Sequence, residues 1–207
     1  MLWYEEEVKR LEAEIASLPG KEGLIFYGSS SIRLWETLED DFSEYAPINI
    51  GFGGSTLAAC VWFFERIFKP LQPRTLIVYA GDNDLGDGRE PEEVFLFFKE
   101  LVHLVNQCYG DIPLGYISIK PSISRWNIVD KIRHTNKLIE AEIKKMGNNI
   151  CYLNIYDRMT DKSGYPKREY LEPDGLHITE KGYQLWTEII QQYIANGDFK
   201  PVKTVNL

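Results

Sequence analysis

Residues 24–31, Leu-Ile-Phe-Tyr-Gly-Ser-Ser-Ser, join a run of four apolar residues to a glycine and three hydroxyl residues. A short apolar run that ends at a glycine is typical of a buried strand followed by a sharp turn. Similar apolar runs recur along the chain, at 48–50, 75–80, 114–119 and 150–155. We therefore predict five strands, the first of them at 24–27.

Amphipathic segments separate these strands. Apolar residues recur in them at helical spacing, which predicts helices at 3–18, 55–68, 91–108, 128–145 and 179–195. Pro91 suits the first turn of one helix, and Thr179 is a suitable N-cap for the last. Strands that alternate with helices predict a five-stranded parallel sheet with helices on both faces, a three-layer α/β/α sandwich.

Composition limits the classes of function. The 207 residues are 44% hydrophobic, which suits one domain over 1–207, with a lead-in helix at 1–20 and a loosely attached tail at 197–207. Lys+Arg number 23 against 31 Asp+Glu, and the net charge of -8 argues against binding to nucleic acid. A charged N-terminus and the lack of a long apolar stretch predict a cytoplasmic protein without membrane insertion.

The loops that follow the strands are where binding or catalytic residues are expected, because ligands bind beyond the carboxyl ends of parallel strands. Glycines, hydroxyl groups and carboxylates stand there. The segments are Gly-Ser-Ser-Ser at 28–31, Gly-Phe-Gly-Gly-Ser at 51–55, Gly-Asp-Asn-Asp at 81–84 and Asp-Gly-Leu-His at 174–177. We predict that they meet at one edge of the sheet.

A serine hydroxyl becomes a good nucleophile when a neighbouring imidazole takes its proton. The chain has three histidines, and His103 and His134 fall inside predicted helices, where packing or solvent contact is their ordinary role. His177 follows Asp174 by three residues in a loop, so the carboxylate can orient the ring. We expect Asp174 and His177 to work as a pair.

The residues alone leave Ser29, Ser30 and Ser31 as alternative nucleophiles. Attack on an ester carbonyl creates an oxyanion, which needs preorganised hydrogen-bond donors. The N–H groups of Ser30 and Gly54 and the side-chain amide of Asn83 are the donors that we predict.

In this order the motifs resemble those of the SGNH or GDSL hydrolases, the GDSL-like lipases and acylhydrolases. That family includes lysophospholipases, carbohydrate acetylesterases and the catalytic subunits of platelet-activating-factor acetylhydrolase. Its Gly-Asp-Ser block corresponds to 28–30, its second-block glycine to Gly54, its Gly-x-Asn-Asp block to 81–84 and its Asp-x-x-His block to 174–177. The resemblance spans 24 to about 190. It implies a flavodoxin-like SGNH-hydrolase fold with Ser30 as the nucleophile.

One position departs from the family pattern, because Ser29 stands where the family usually has aspartate. If that aspartate supports the turn, another acid is needed here, and Asp82 and Asp84 are the candidates. The other possibility for Asp82 is an ordinary loop carboxylate that faces water.

The expected reaction is hydrolysis of a carboxylic ester through an acyl-enzyme, without metal or cofactor. Because no long insertion is present to form a lid, we expect a short acyl group such as acetyl on a small-molecule substrate. Lys120, Arg125 and Trp126 follow the fourth strand and are predicted substrate contacts, with a plain surface loop as the alternative.

Two other functions are open at this stage. A metal-dependent phosphoester hydrolase would use Asp82, Asp84 and Asp87 as oxygen ligands, and a catalytically idle binding domain would keep the fold without the chemistry. The aromatic stripe at 62–68 has helical spacing and predicts either core packing or a homodimer face.

Overall fold

Five parallel strands form the central sheet, in the order β2-β1-β3-β4-β5. The computed structural model describes residues 1–147 and 149–196, so the predicted tail at 197–207 lies outside the described residues. The strands are β1 (Glu22–Gly28), β2 (Ile48–Gly51), β3 (Gln72–Tyr79), β4 (Leu114–Ile117) and β5 (Ile150–Leu153). The five predicted strands and the parallel sheet are confirmed.

The fourth strand ends two residues before its predicted limit, because a side chain replaces the neighbouring strand as hydrogen-bond partner. Asn136 accepts a hydrogen bond from the Ile119 N–H and donates one to the Ile119 carbonyl, both at 2.8 Å. The Ser118 N–H still donates to the Leu153 carbonyl of β5 at 3.0 Å, so the backbone leaves the sheet at Ile119 with its polar groups paired.

The described residues form eight α-helices. They are α1 (Glu5–Ser17), α2 (Ser30–Arg33), α3 (Leu38–Asp41), α4 (Leu57–Phe68), α5 (Asp82–Gly86), α6 (Pro91–Tyr109), α7 (Val129–Ile143) and α8 (Glu180–Asn196). The long helices α1, α4, α6, α7 and α8 match the five predicted ones. Helices α2, α3 and α5, with four or five residues each, lie outside the five predicted segments. Segments this short show no helical period.

Alternate residues of the strands pack into separate cores. Ile25 and Tyr27 belong to one buried cluster, together with residues of α1, α4, α6 and α7. Leu24 and Phe26 belong to a second cluster, with residues of α2, α3 and α8. The predicted three-layer α/β/α sandwich is therefore confirmed.

The aromatic stripe of α4 is mostly core. Phe63, Phe64, Ile67 and Phe68 are buried, whereas Trp62 is 69% exposed. The homodimer face stays a prediction. In the described part of the chain, no helix is both long and apolar enough to cross a membrane.

The strand order places a crevice between β1 and β3. The chain moves outward from β1 to β2 and then returns past β1 to form β3. Connections on the two sides of such a switch point diverge, which leaves room for a ligand at the carboxyl ends of the strands, as in flavodoxin-like folds. The segments that follow β1 and β3 therefore border this crevice.

Asp84 ties the segment after β3 to the N-terminus of α4. Its buried carboxylate accepts hydrogen bonds from the N–H groups of Leu57 at 2.5 Å and Ala58 at 3.3 Å. Burial raises the pKa of Asp84 to about 6, although these N–H groups and Arg89 favour the charged form. Asp84 thus belongs to the scaffold beneath the crevice.

The Asp84→Asn variant tests this assignment. The folded protein should bind a proton at Asp84 between its ordinary pKa and the raised value, so lowering the pH through that window should stabilise the wild type. We expect the unfolding free energy of the wild type to gain about 1–3 kcal/mol relative to the variant between about pH 7 and about pH 4. Urea denaturation across this range provides the measurement, and two parallel pH curves would contradict the raised pKa.

Candidate active site

Of the three consecutive serines, only Ser30 presents its side chain near the surface. Ser29 is 1% exposed and Ser31 is 2% exposed, whereas Ser30 is half-buried. The N–H of Ser29 donates to the Tyr79 carbonyl at 2.9 Å, and the Ser31 carbonyl accepts from the Tyr183 hydroxyl at 3.0 Å. These bonds fix the backbone on both sides of Ser30, at the start of α2.

Gly28 allows the turn before Ser30 to approach β3 closely. Its φ is +140°, a conformation that side chains with a Cβ rarely adopt. A Cβ at this position would lie 1.8 Å from the Tyr79 carbonyl oxygen. The glycine that opens the first motif is therefore required by the contact between two strands.

Asp174 and His177 form a bonded pair in the loop before α8. The Oδ2 of Asp174 lies 2.5 Å from the Nδ1 of His177, and its Oδ1 accepts from the N–H groups of Leu176 and His177 at 2.8 and 2.9 Å. The Leu176 N–H, with the His177 ring and N–H, holds the pKa of Asp174 at about 2. The carboxylate is therefore charged at ordinary pH and orients the ring.

The other ring nitrogen of His177 is available for proton transfer. Within the described part of the chain, neither His177 Nε2 nor Ser30 Oγ makes a hydrogen bond. Catalytic hydrogen bonds are often long in ligand-free proteins and tighten when substrate binds. His177 lines a cleft of about 420 Å³ with Leu34, the residue that follows α2. The residue after α2 and the histidine thus border this cleft, whereas Ser30, Gly54 and Asn83 do not line it.

Each of the predicted oxyanion donors has a hydrogen that is free to donate. Among the described residues, the N–H groups of Ser30 and Gly54 have no hydrogen-bond acceptor. The Nδ2 of Asn83 donates to the Ser55 carbonyl at 3.0 Å, which leaves its second hydrogen free. The Oδ1 of Asn83 accepts from Nη2 of Arg125 at 3.1 Å.

The N-terminal segment holds the glycine loop after β2, a role that the sequence analysis missed. Tyr4 donates from its hydroxyl to the Gly54 carbonyl at 3.1 Å, and Glu7 accepts from the Gly53 N–H at 3.1 Å. Glu7 also lies 3.3 Å from Arg33. No local sequence signal points to these contacts, because the partners stand far apart in the chain.

Lys120 is not placed as predicted. Its side chain is 1% exposed, and its Nζ lies 3.0 Å from Asp82 Oδ2 and 3.2 Å from the Tyr79 hydroxyl. The expected contact with substrate is thus replaced by an internal ion pair. Burial alone would raise the pKa of Asp82, but the Lys120 ammonium outweighs it and holds the value below the ordinary range. Asp82 is accordingly a buried carboxylate and does not face water.

The other two predicted substrate contacts lie in the segment after β4. Arg125 binds Asn83, as described above, and is half-buried. Trp126 packs edge-on against Tyr165 with ring centroids 4.7 Å apart, and Arg133 lies over its ring at 5.6 Å. Substrate binding by Arg125 and Trp126 stays a prediction.

Of the three aspartates considered as metal ligands, two bind other groups of the protein and the third is exposed. Asp82 pairs with Lys120, Asp84 caps α4, and Asp87 is exposed at the end of α5. Over residues 1–147 and 149–196, no group of three or more His, Cys, Asp or Glu side chains is arranged to hold a metal ion. This arrangement does not favour a phosphoester hydrolase built on these residues.

Comparisons with known proteins identify relatives. Residues 25–185 match the GDSL-like Lipase/Acylhydrolase family. A GDSL-like lipase from Bacteroides thetaiotaomicron has 24% identity and a TM-score of 0.77, with 91% of this chain and 97% of that chain covered. A search of curated proteins found no significant match.

Two further solved structures share the fold at lower identity. A carbohydrate esterase family 3 protein from Talaromyces cellulolyticus has 13% identity and a TM-score of 0.67, with 84% of this chain and 96% of that chain covered. An acetyl esterase variant solved with an acetate ion has 12% identity and a TM-score of 0.66, with the same coverage of 84% and 96%. At these identities the likeness establishes the fold.

The Gly28→Ala variant tests the close approach of β1 and β3. The φ of Gly28 costs a residue with a side chain about 1–3 kcal/mol, and the overlap with the Tyr79 carbonyl adds to it. We expect thermal unfolding to show a marked loss of stability. Gly20→Ala is the control, because a Cβ at Gly20 would have nothing within 4 Å and the φ of this residue is ordinary. Equal stability of the two variants would contradict the close approach.

Proposed function

This chain belongs to the GDSL-like lipase/acylhydrolase family and is a hydrolase of ester substrates, and from this premise we propose that it is a serine esterase with Ser30 as its nucleophile. Asp174 and His177 complete the proposed triad. The observation that carries the proposal is the Asp174–His177 pair, bonded through Nδ1 with Nε2 unengaged. Ser30 is the one serine of the 29–31 motif that is not fully buried, and Tyr183 of α8, the helix that follows the pair, donates to the carbonyl of the next residue, Ser31, at 3.0 Å.

The proposed reaction proceeds in two acyl-transfer steps. Ser30 Oγ attacks the ester carbonyl while His177 Nε2 accepts its proton, and Asp174 stabilises the resulting imidazolium. The tetrahedral oxyanion accepts hydrogen bonds from the N–H groups of Ser30 and Gly54 and from the Asn83 amide. His177 then returns the proton to the leaving alcohol. Water, activated by His177 in the same way, releases the acid from Ser30.

We further propose a short acyl group, such as acetyl, on a substrate without negative charge near His177. The lining of the cleft beside His177 includes the carboxylates of Glu36, Glu172 and Glu180, which repel phosphate and carboxylate groups. An acetyl esterase and a carbohydrate esterase among the proteins of the same fold support an acetyl ester.

An idle binding domain is the alternative that the Ser29 departure raises. The intact Asp174–His177 pair favours the enzyme, because a charged carboxylate held against a histidine ring has an immediate catalytic use. Covalent labelling by a fluorophosphonate distinguishes the two, since an unactivated serine does not react.

Hydrolysis of p-nitrophenyl acetate, butyrate and octanoate by the wild type and by Ser30→Ala is the first test. We expect turnover that is fastest with acetate and falls at least about 10³-fold in Ser30→Ala, because the residual rate then comes only from binding and the oxyanion donors. Ser31→Ala is the matched control and should keep most of the activity. Circular dichroism verifies that each variant is folded.

The outcomes of this test separate the hypotheses. Full activity of Ser30→Ala would exclude Ser30 as the nucleophile. A wild type that is labelled at Ser30 but turns over none of the three esters would have a narrow specificity. A wild type that is neither labelled nor active would be the idle binding domain.

The pH dependence of kcat/KM provides a second test. Activity should fall toward acid, because a general base must be unprotonated to accept the serine proton. Asp174, whose pKa is about 2, stays charged throughout and should add no further acid limb. Asp174→Asn should lower kcat by about 10²–10⁴-fold through loss of ring orientation. A rate that is constant from acidic to alkaline pH would contradict a histidine base.

A further inference from the structure

The Asn83 side chain is held at both ends of its amide. Arg125 Nη2 donates to Asn83 Oδ1 at 3.1 Å, and Asn83 Nδ2 donates to the Ser55 carbonyl at 3.0 Å. A guanidinium has only donors, so Arg125 can bind only the oxygen of this amide. We propose that Arg125 is a positioning residue that fixes the Asn83 amide with its nitrogen toward the substrate oxyanion. This inference rests on the proposed function.

The orientation matters because the two ends of an amide have opposite effects on an oxyanion. The Nδ2 group donates a hydrogen bond to the developing charge, whereas Oδ1 would repel it. Rotation of the amide about its Cβ–Cγ bond would break the hydrogen bond to the Ser55 carbonyl. The second anchor, from Arg125, adds to this restraint before the substrate binds.

Gly86 gives an independent indication that the guanidinium belongs in this place. A Cβ at Gly86 would lie 1.2 Å from Arg125 Nη1 and 2.2 Å from its Cζ. Gly86 has no left-handed φ, so backbone conformation does not require a glycine there. The helix that contains Asn83 therefore has, at its last residue, the space that the Arg125 side chain fills.

The surroundings of Arg125 connect both halves of the site. Its charge lies close enough to Asp82 to favour the ionised form of that buried carboxylate. The preceding residue, Ser124, donates from its N–H to the Gly175 carbonyl at 3.2 Å, within the turn that holds Asp174 and His177. The segment that positions Asn83 is thus attached to the turn of the catalytic pair.

A double-mutant cycle on p-nitrophenyl acetate hydrolysis tests the inference. Arg125→Met should lower kcat about 10–100-fold with little change in KM, and Asn83→Ala should lower it about 10²–10³-fold. Because Arg125 acts through Asn83, the double variant should be no slower than Asn83→Ala alone. Arg125→Lys, which keeps a donor, should recover part of the loss. Arg74→Met is the matched control, since Arg74 pairs with Glu22 at the opposite end of the sheet.

Gly86→Ala provides a second variant that leaves Arg125 itself unchanged. The added methyl group displaces the guanidinium, so kcat should fall as in Arg125→Met. Three kinetic outcomes would overturn the inference: an unchanged kcat in both variants, additive losses in the double variant, or an effect confined to the KM of anionic esters. The last result would instead assign Arg125 to substrate binding.

Crystal structures of the wild type and Arg125→Met test the inference without turnover. The Asn83 amide should change its rotamer or lose its single orientation in the variant, and an unaltered amide would overturn the positioning role. Ser30→Ala, assayed alongside, separates this failure from that of the proposed function. An active wild type that loses its rate in Ser30→Ala, but not in Arg125→Met, would leave the esterase intact and reject only the inference.

Discussion

The close approach of β1 and β3 at the switch point is the constraint on which the site depends. Gly28 lies against Tyr79, and the next N–H, from Ser29, bonds to the Tyr79 carbonyl. The contact ends β1 abruptly, so α2 begins with Ser30 directly above the sheet. On the other side, β3 continues into the segment that contains Asn83. The proposed nucleophile and an oxyanion donor thus follow two adjacent strands, and a side chain at position 28 would separate them.

Much of this architecture could be predicted from sequence because it depends on periodicity and on chain direction. Apolar runs define the strands, and the carboxyl ends of parallel strands share one edge whatever their register. Asp174 and His177 could be paired because only a tight turn separates them. The choice among Ser29, Ser30 and Ser31 needed either the family resemblance or the structure. Spacing alone contains no information about which hydroxyl is buried.

What the sequence could not supply are the contacts between distant segments. Lys120 and Asp82 stand 38 residues apart, and a lysine in a loop at the active edge gives no sign that it is buried. Glu7 and Gly53 are separated by 46 residues, so the lead-in helix could not be recognised as a support of the glycine loop. Such pairings depend on tertiary packing, which explains why the predicted contact between Lys120 and substrate is wrong.

The electrostatics around Asn83 explain why two cations, Lys120 and Arg125, lie near Asp82. Asp82 is a buried carboxylate next to Asn83, which is proposed to stabilise a developing negative charge. An uncompensated anion at that position would oppose the same charge. Lys120 pairs with Asp82 directly, and Arg125 acts on it through space while binding Asn83. Together the two cations offset the negative charge of the Asp82 carboxylate. The polar support beneath the oxyanion donors is therefore compatible with anion stabilisation above them, while the cleft around His177 keeps a negative lining.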